Sequence, residues 1–199
     1  MSNRSERRKQ LQDQQQKKTI LTIAIWLGVI LIVVAVFSSS IQSSPGSGAA
    51  QGNLSTIPAE VNYPAPELAL ENIAGKTEAL TDYRDQVVLV NNWATWCPPC
   101  KAEMPTLAAF YDAHASEGFM IVAIEAGDAK DQVQAFADQL QLPFAIWLDP
   151  KGASLNAFKN SALPNSYVID RTGTVRLMWT GEITREMLEK YVTPLLNGG

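Results

Sequence analysis

The chain of 199 residues contains few of the side chains that usually bind metals. Cysteine occurs only at Cys97 and Cys100, and histidine only at His114. A structural zinc site takes four cysteine or histidine ligands, so this set is too small without added carboxylates. Covalent haem attachment needs a histidine directly after the second cysteine, where Lys101 stands instead. We therefore expect no resident metal and no cofactor.

An excess of positive charge is also missing. Sixteen lysines and arginines stand against 20 acidic residues, which gives a net charge of −4 and a pI of about 5.0. This balance implies no basic face for nucleic acid. The positive charges that do occur are concentrated near the start of the chain, at Arg4, Arg7, Arg8, Lys9, Lys17 and Lys18.

A long apolar run follows this basic segment. Residues 20–37 carry no charge, and Thr19 and the serines after the run can extend it to the length that crosses a bilayer. A secretory signal peptide has a shorter apolar core, about 7–15 residues, followed by a small-residue cleavage site. We therefore predict an uncleaved transmembrane anchor over residues 19–38.

The rest of the domain plan follows from charge and composition. After the anchor the next basic residue is Lys76, so the positive-inside rule puts residues 1–18 in the cytoplasm. Residues 39–57 are rich in serine, glycine and alanine and are predicted to form a flexible linker. Residues 58–199 are then a globular domain outside the cytoplasm. We expect a single-pass protein of a bacterial cytoplasmic membrane.

The two cysteines are predicted to lie where a buried strand meets a helix. The apolar run Val87–Val90 comes shortly before them, and apolar residues at helical spacing follow them. The residues at that spacing are Met104, Leu107, Ala108 and Tyr111. A helix N-terminus stabilises a thiolate, which is the nucleophile of disulfide exchange. Cys97 is expected to be the exposed attacking sulfur and Cys100 the buried resolving sulfur, with Pro98 and Pro99 in the first helical turn.

Other uses of the cysteine pair fit less well. A disulfide between residues three apart closes a very small loop and constrains the unfolded chain little. A peroxidatic cysteine requires a P-x-x-x-T-x-x-C pattern, and Val90 and Ala94 occupy the proline and threonine positions before Cys97. Thiol–disulfide exchange is the chemistry that remains.

The wider pattern predicts strands that alternate with helices and a mixed sheet covered by helices on both faces. Strands are predicted over residues 87–93, 119–125 and 144–148, and hairpins over residues 67–80 and 166–180. Helices are predicted from Pro98 to about Ser116, from an Asp128 cap to about Leu140, around Leu155 and Phe158, and from Thr184 to Leu196.

In these features the chain resembles proteins of the thioredoxin fold. The W-C-x-x-C motif follows a buried strand, Pro105 lies five residues beyond the second cysteine, and Pro164 precedes a later strand. The resemblance implies that Pro164 is cis and packs against the cysteine pair, and that the backbone of Leu163 contacts a substrate peptide. The substrate-binding residues it implies are Trp96, Pro98, Pro99, Leu163 and Pro164.

A closer resemblance is to membrane-anchored extracytoplasmic proteins of the ResA and TlpA type, over about residues 60–196. It is carried by the anchor, the lead-in hairpin, the insert over residues 128–158 and the sequence Lys101-Ala102-Glu103. The fold class predicted is thus α/β, a thioredoxin fold with an N-terminal hairpin and an insert before the cis-proline loop. One transmembrane helix is expected before it.

Three positions separate this chain from its relatives or from ordinary thioredoxins. Asn91 stands where thioredoxins place a buried aspartate, and Asn165 follows the expected cis proline where the family mostly has threonine. Glu103 lies one helical turn after Cys100. We hypothesise that Glu103 raises a cysteine pKa by like-charge repulsion and relays a proton. The alternative is a solvated glutamate that pairs with Lys101 or caps the helix.

The resemblance implies a thiol–disulfide oxidoreductase that reduces partner proteins such as apocytochrome c during cytochrome c maturation. Cys97 would attack the substrate disulfide and Cys100 would resolve the intermediate. Electrons would come from a transmembrane donor of the CcdA or DsbD type. The alternatives are a thiol reductant or Cu(I)-binding factor for oxidase copper-site assembly, a general disulfide oxidant, and an anchored binding module whose cysteines are a remnant.

Overall fold

The computed structural model describes residues 57–198. The predicted basic N-terminus, anchor and nearly all of the predicted linker lie outside the described residues. Within residues 57–198, none of the helices combines the length and the apolar character that a membrane crossing requires.

One mixed sheet of eight strands organises the described part of the chain. The strands are β1 (Ala59–Pro64), β2 (Ala69–Asn72), β3 (Thr77–Ala79), β4 (Val87–Trp93), β5 (Phe119–Glu125), β6 (Ala145–Leu148), β7 (Asn165–Ile169) and β8 (Thr174–Thr180). Their order across the sheet is β1-β8-β7-β4-β5-β6-β2-β3. The central β4 pairs parallel with β5 and antiparallel with β7, and β5 pairs parallel with β6. The carboxyl ends of β4, β5 and β6 therefore lie at one edge of the sheet.

Helices connect and cover these strands. They are α1 (Pro98–His114), α2 (Lys130–Leu140), α3 (Ala153–Ala157), α4 (Arg185–Tyr191) and α5 (Thr193–Asn197), with 3-10 turns at Leu80–Tyr83 and Ala115–Glu117. The predicted mixed sheet, the two hairpins and the insert are confirmed.

Three details of the prediction were wrong. The predicted strands omit edge strand β1, which ends at Pro64; proline is tolerated there because an edge strand leaves some N–H groups unpaired. The closing helix divides at Val192, because Pro194 lacks the N–H needed to continue it. The N-cap residue of α2 is Ala129, whose side chain makes no capping hydrogen bond. The predicted capping of this helix by Asp128 is therefore not observed.

The alternation of side chains along β4 separates two apolar cores. Val87 and Leu89 pack on one face of the sheet with α1 and α4, and Val88 and Val90 pack on the other. Because successive residues of a strand point to opposite faces, Asn91 and Asn92 also face opposite sides. Both asparagines are fully buried. The end of β4 thus places one buried amide side chain on each face of the sheet.

Candidate active site

The cysteine pair lies at the N-terminus of α1, as predicted. Cys97 is the N-cap residue, and Pro98 and Pro99 occupy the first helical turn. Cys97 and Cys100 form a disulfide, and the Cys100 N–H donates to Cys97 Sγ at 3.3 Å. The Cys100 N–H and the positive end of the helix dipole therefore face Cys97 Sγ. This arrangement favours a Cys97 thiolate when the bond is reduced.

The expected exposure of Cys97 was wrong for this oxidised protein. Cys97 is only 3% exposed, and both cysteines belong to the apolar core that includes Trp93 and Ala94. As N-cap, Cys97 turns its side chain back over the first helical turn, and the disulfide holds it there. Trp96, in contrast, is 65% exposed. In the oxidised state, Trp96 and not the sulfur is the solvent-facing feature of this loop.

Glu103 is fully buried, one turn along α1 from Cys100. Its Oε1 accepts a hydrogen bond from Asn91 Nδ2 at 2.8 Å, and its Oε2 accepts one from the Ile183 N–H at 3.0 Å. Burial raises the pKa of Glu103 to about 7, although both hydrogen bonds oppose the rise; the charge of Glu182 adds to it. The solvated alternative for Glu103 is therefore wrong. This carboxyl group can hold or release a proton near neutral pH beside the dithiol.

Asn91 connects Glu103 to the strand that follows the proline loop. Its amide nitrogen donates to Glu103 and also to Ser166 Oγ at 2.9 Å. Asn91 Oδ1 is buried without a hydrogen-bond partner among the described residues. A neutral amide cannot take up a proton, but its N–H groups stabilise the ionised form of Glu103.

The proline loop has the cis bond that the resemblance implied. The Leu163–Pro164 peptide bond is cis. Pro164 is buried, and its carbonyl accepts a hydrogen bond from the Gly181 N–H at 2.8 Å. Leu163 is half-buried and packs against the apolar core that contains both cysteines. The loop and the dithiol therefore adjoin the same core.

Sequence reasoning missed a pair of carboxylates beside the cysteine loop. Asp128 Oδ2 accepts from both the Thr95 N–H, at 2.8 Å, and Thr95 Oγ1, at 2.7 Å. The Asp128 N–H donates in turn to both oxygens of buried Glu125, at 2.9 Å each. The two acids thus hold the backbone two residues before Cys97. The available signal was Glu125 at the end of a buried parallel strand, the edge where α/β sheets place polar sites.

Burial also raises the pKa of Glu125 to about 7. The hydrogen bond from the Asp128 N–H opposes this rise, whereas the nearby Asp128 carboxylate adds to it. Partial burial alone would raise the pKa of Asp128, but the two hydrogen bonds from Thr95 bring it below its ordinary value. Asp128 is thus the ionised member of the pair, and it is the one that accepts both hydrogen bonds from Thr95 in the cysteine loop.

Comparisons with known proteins agree with this geometry. Residues 61–178, which include the cysteine pair and Glu103, match the AhpC/TSA family. The thiol-disulfide oxidoreductase ResA of Geobacillus thermodenitrificans is 36% identical over 132 residues, which cover 66% of this chain and 76% of that protein. ResA of Bacillus subtilis is 35% identical over 134 residues, 67% of this chain and 75% of the relative.

Solved structures of other proteins are similar to this chain over most of the residues that the structure describes. A putative thiol:disulfide interchange protein DsbE from Chlorobium tepidum aligns with a TM-score of 0.65 and 28% identity, over 69% of this chain and 98% of the other. StoA from Bacillus subtilis aligns with a TM-score of 0.56 and 27% identity, over 64% of this chain and 97% of the other.

Proposed function

Because this chain belongs to the AhpC/TSA family and is a thioredoxin-like thiol–disulfide oxidoreductase similar to ResA, we propose that it reduces disulfides of specific partner proteins outside the cytoplasm. The observation that carries the proposal is the dithiol at a helix N-terminus with buried Glu103 one turn away. The helix end favours the Cys97 thiolate, and Glu103 supplies a proton acceptor near neutral pH.

The proposed reaction starts from the reduced pair. The Cys97 thiolate attacks one sulfur of the substrate disulfide, so that a Cys97–substrate bond forms and the substrate S–S bond breaks. The released substrate thiolate takes up a proton. Cys100 then loses its proton to Glu103 and attacks Cys97 Sγ, which releases the second substrate thiolate and forms the Cys97–Cys100 disulfide. Glu103 then gives its proton to this second thiolate, and the proton that the first thiolate took up comes from solvent, to which Cys97 lost its own on ionisation. Two electrons and two protons therefore pass from the dithiol to the substrate.

We assign substrate contact to the residues around the exposed part of this loop and the proline loop. Trp96 and Pro98 are exposed, Pro99 and Leu163 are half-buried, and Pro164 is buried. Exposed aromatic and proline side chains beside a nucleophile suit a peptide partner, because they add apolar contact at little cost in side-chain entropy.

The proposal extends to location and partners. Residues 19–38 anchor the chain in a bacterial cytoplasmic membrane with the domain outside, apocytochrome c is the substrate, and a CcdA- or DsbD-type protein restores the dithiol. What supports this is the basic segment before the apolar run and the similarity to ResA. A deletion of residues 19–38 should move the protein from the membrane fraction to the soluble fraction; an unchanged distribution would contradict the anchor.

The reduction potential tests the direction of electron flow. Equilibration of the protein with dithiothreitol buffers should give a value near or below that of thioredoxin, roughly −270 mV. A value near that of DsbA, roughly −120 mV, would identify an oxidant and overturn the proposal. Cys100→Ser should accumulate a mixed disulfide with a C-x-x-C-H peptide through Cys97. The matched variant Cys97→Ser should form none, and equal trapping by both would overturn the assigned order of attack.

A further inference from the structure

A second buried polar network lies on the face of the sheet opposite Glu103. Its members are Asn92 at the end of β4, Ser154 in helix α3 of the insert, and Asn165 at the start of β7, and each is fully buried. Ser154 Oγ donates to Asn92 Oδ1 at 2.6 Å, and Asn92 Nδ2 donates to Asn165 Oδ1 at 2.8 Å. Three separate segments of the chain thus meet in one line of hydrogen bonds.

The far end of this line is the loop directly before Leu163. Asn165 Nδ2 donates to the carbonyl of Ala162 at 2.5 Å and to that of Asn160 at 3.4 Å. The loop is also closed on itself, because Asn160 Oδ1 accepts from the Ala162 N–H at 3.1 Å. The Asn165 amide therefore fixes the backbone that leads into the cis peptide bond at Pro164.

Ser154, at the other end of this line of hydrogen bonds, is also held in place. Asp149, after β6, accepts hydrogen bonds from the N–H groups of Ala153 and Ser154 at 2.8 Å each. These bonds hold the first turn of α3, and with it the Ser154 hydroxyl. A displacement of the insert helix would therefore be transmitted through Asn92 and Asn165 to the loop.

The three hydrogen bonds at residue 165 require an amide side chain. Asn165 accepts one hydrogen bond from Asn92 and donates two to backbone carbonyls. A hydroxyl side chain has one donor and a shorter reach, so it cannot make all three bonds. A threonine here would leave at least one loop carbonyl without its present donor.

We propose that Asn165 is a positioning residue for substrate selection. Through its amide, the insert sets the place of the backbone at residues 160–163, against which an extended peptide segment of the partner lies. Because such a segment binds through main-chain hydrogen bonds, a small shift of the loop weakens peptide binding without altering the dithiol. This inference rests on the proposed function and refines it.

Single-turnover kinetics with the reduced full-length protein test the inference. The two probes are an oxidised C-x-x-C-H peptide and the small aromatic disulfide DTNB, which has no peptide backbone to bind. Asn165→Thr should raise the half-saturating peptide concentration roughly tenfold, the effect of losing about one buried hydrogen bond. The limiting rate at saturating peptide, the DTNB rate and the reduction potential should be unchanged.

Ser154→Ala tests the same line from its other end and removes only one hydroxyl. It should shift peptide half-saturation in the same direction by a smaller factor, about threefold, and it carries the test if Asn165→Thr fails to fold. Ser116→Ala is the matched control and should leave peptide half-saturation unchanged, because Ser116 is exposed, lies after the C-terminal end of α1, and its side chain makes no hydrogen bond among the described residues.

The outcomes separate the two proposals. Peptide half-saturation within twofold of wild type in both Asn165→Thr and Ser154→Ala would overturn the positioning role, as would an equal loss of peptide and DTNB rates. A wild-type protein that reduces neither probe would overturn the proposed function itself, and this inference with it.

Discussion

The burial of the Glu103 carboxyl group predicts how the free energy of unfolding depends on pH. Glu103→Gln keeps the size of the side chain but removes its titration. Since burial raises the pKa of Glu103 in the folded protein from 4.5 to about 7, the folded state binds this proton more tightly than the unfolded state. The pH dependence of unfolding therefore reports directly on the burial of Glu103.

The sign and size follow from proton linkage. Between pH 4.5 and pH 7 the unfolded chain has lost the Glu103 proton while the folded chain retains it, so stability falls as pH rises through this window. A shift from 4.5 to about 7 corresponds to about 3 kcal/mol at about 1.4 kcal/mol per pH unit. Glu125, whose pKa is also raised to about 7, adds a similar fall. Glu103→Gln should remove about half of the total.

Urea unfolding of the oxidised protein at pH 5, 6, 7 and 8 measures this fall, because disulfide-bonded cysteines do not titrate. The wild-type free energy of unfolding should drop by several kcal/mol between pH 5 and pH 8, and that of Glu103→Gln by about 3 kcal/mol less. Glu67→Gln, at an exposed position, is the control and should keep the wild-type slope. An equal slope in Glu103→Gln and wild type would show that the pKa of Glu103 is not raised by burial.

Three further predictions concern the same site. In the reduced protein, Glu103→Gln should lower the Cys100 thiol pKa, because a nearby negative charge is lost; an unchanged thiolate absorbance titration would refute this. Asp128→Ala should lower the free energy of unfolding by about 2 kcal/mol, because both hydrogen bonds from Thr95 are lost, and urea unfolding within 0.5 kcal/mol of wild type, roughly the scatter of neutral surface substitutions, would contradict it. Asn91→Ala should raise the Glu103 pKa further above about 7, because the ionised form loses a donor, and a carboxyl NMR titration that shows no rise would count against the assigned hydrogen bond.

The central strands could be predicted from the sequence because they are buried on both faces. The predicted spans for β4 and β5, residues 87–93 and 119–125, coincide with the observed ones. Parallel strands covered on both faces read as continuous apolar runs, which end sharply where polar residues begin. Edge strand β1 has no such run; its residues are mostly exposed, and Pro64 at its end, with Pro58 before it and Pro66 after it, is typical of a loop.

The position of the cysteine pair followed from the same strand and from the helical spacing after it. The hydrogen bonds between Thr95 and Asp128 could not be predicted in this way, because the two residues are 33 positions apart and belong to different loops. A carboxylate before a helix has a local use as a cap, and local reasoning assigned that use. The observed use depends on which loops the parallel order of β4 and β5 brings together.

The burial of Glu103 was partly visible in the sequence. Glu103 follows Cys100 by three residues and precedes Leu107 by four, so it lies on the same stripe of α1 as two buried apolar side chains. Its second donor, the Ile183 N–H, comes from 80 residues further along the chain and has no local signal. An ionised carboxylate on a buried stripe destabilises the folded protein by about 3 kcal/mol at neutral pH, whereas an apolar residue there would stabilise it. The proton transfer that we propose between Glu103 and the cysteines would account for such a cost at the turn next to a dithiol, whereas packing alone gives no reason for it.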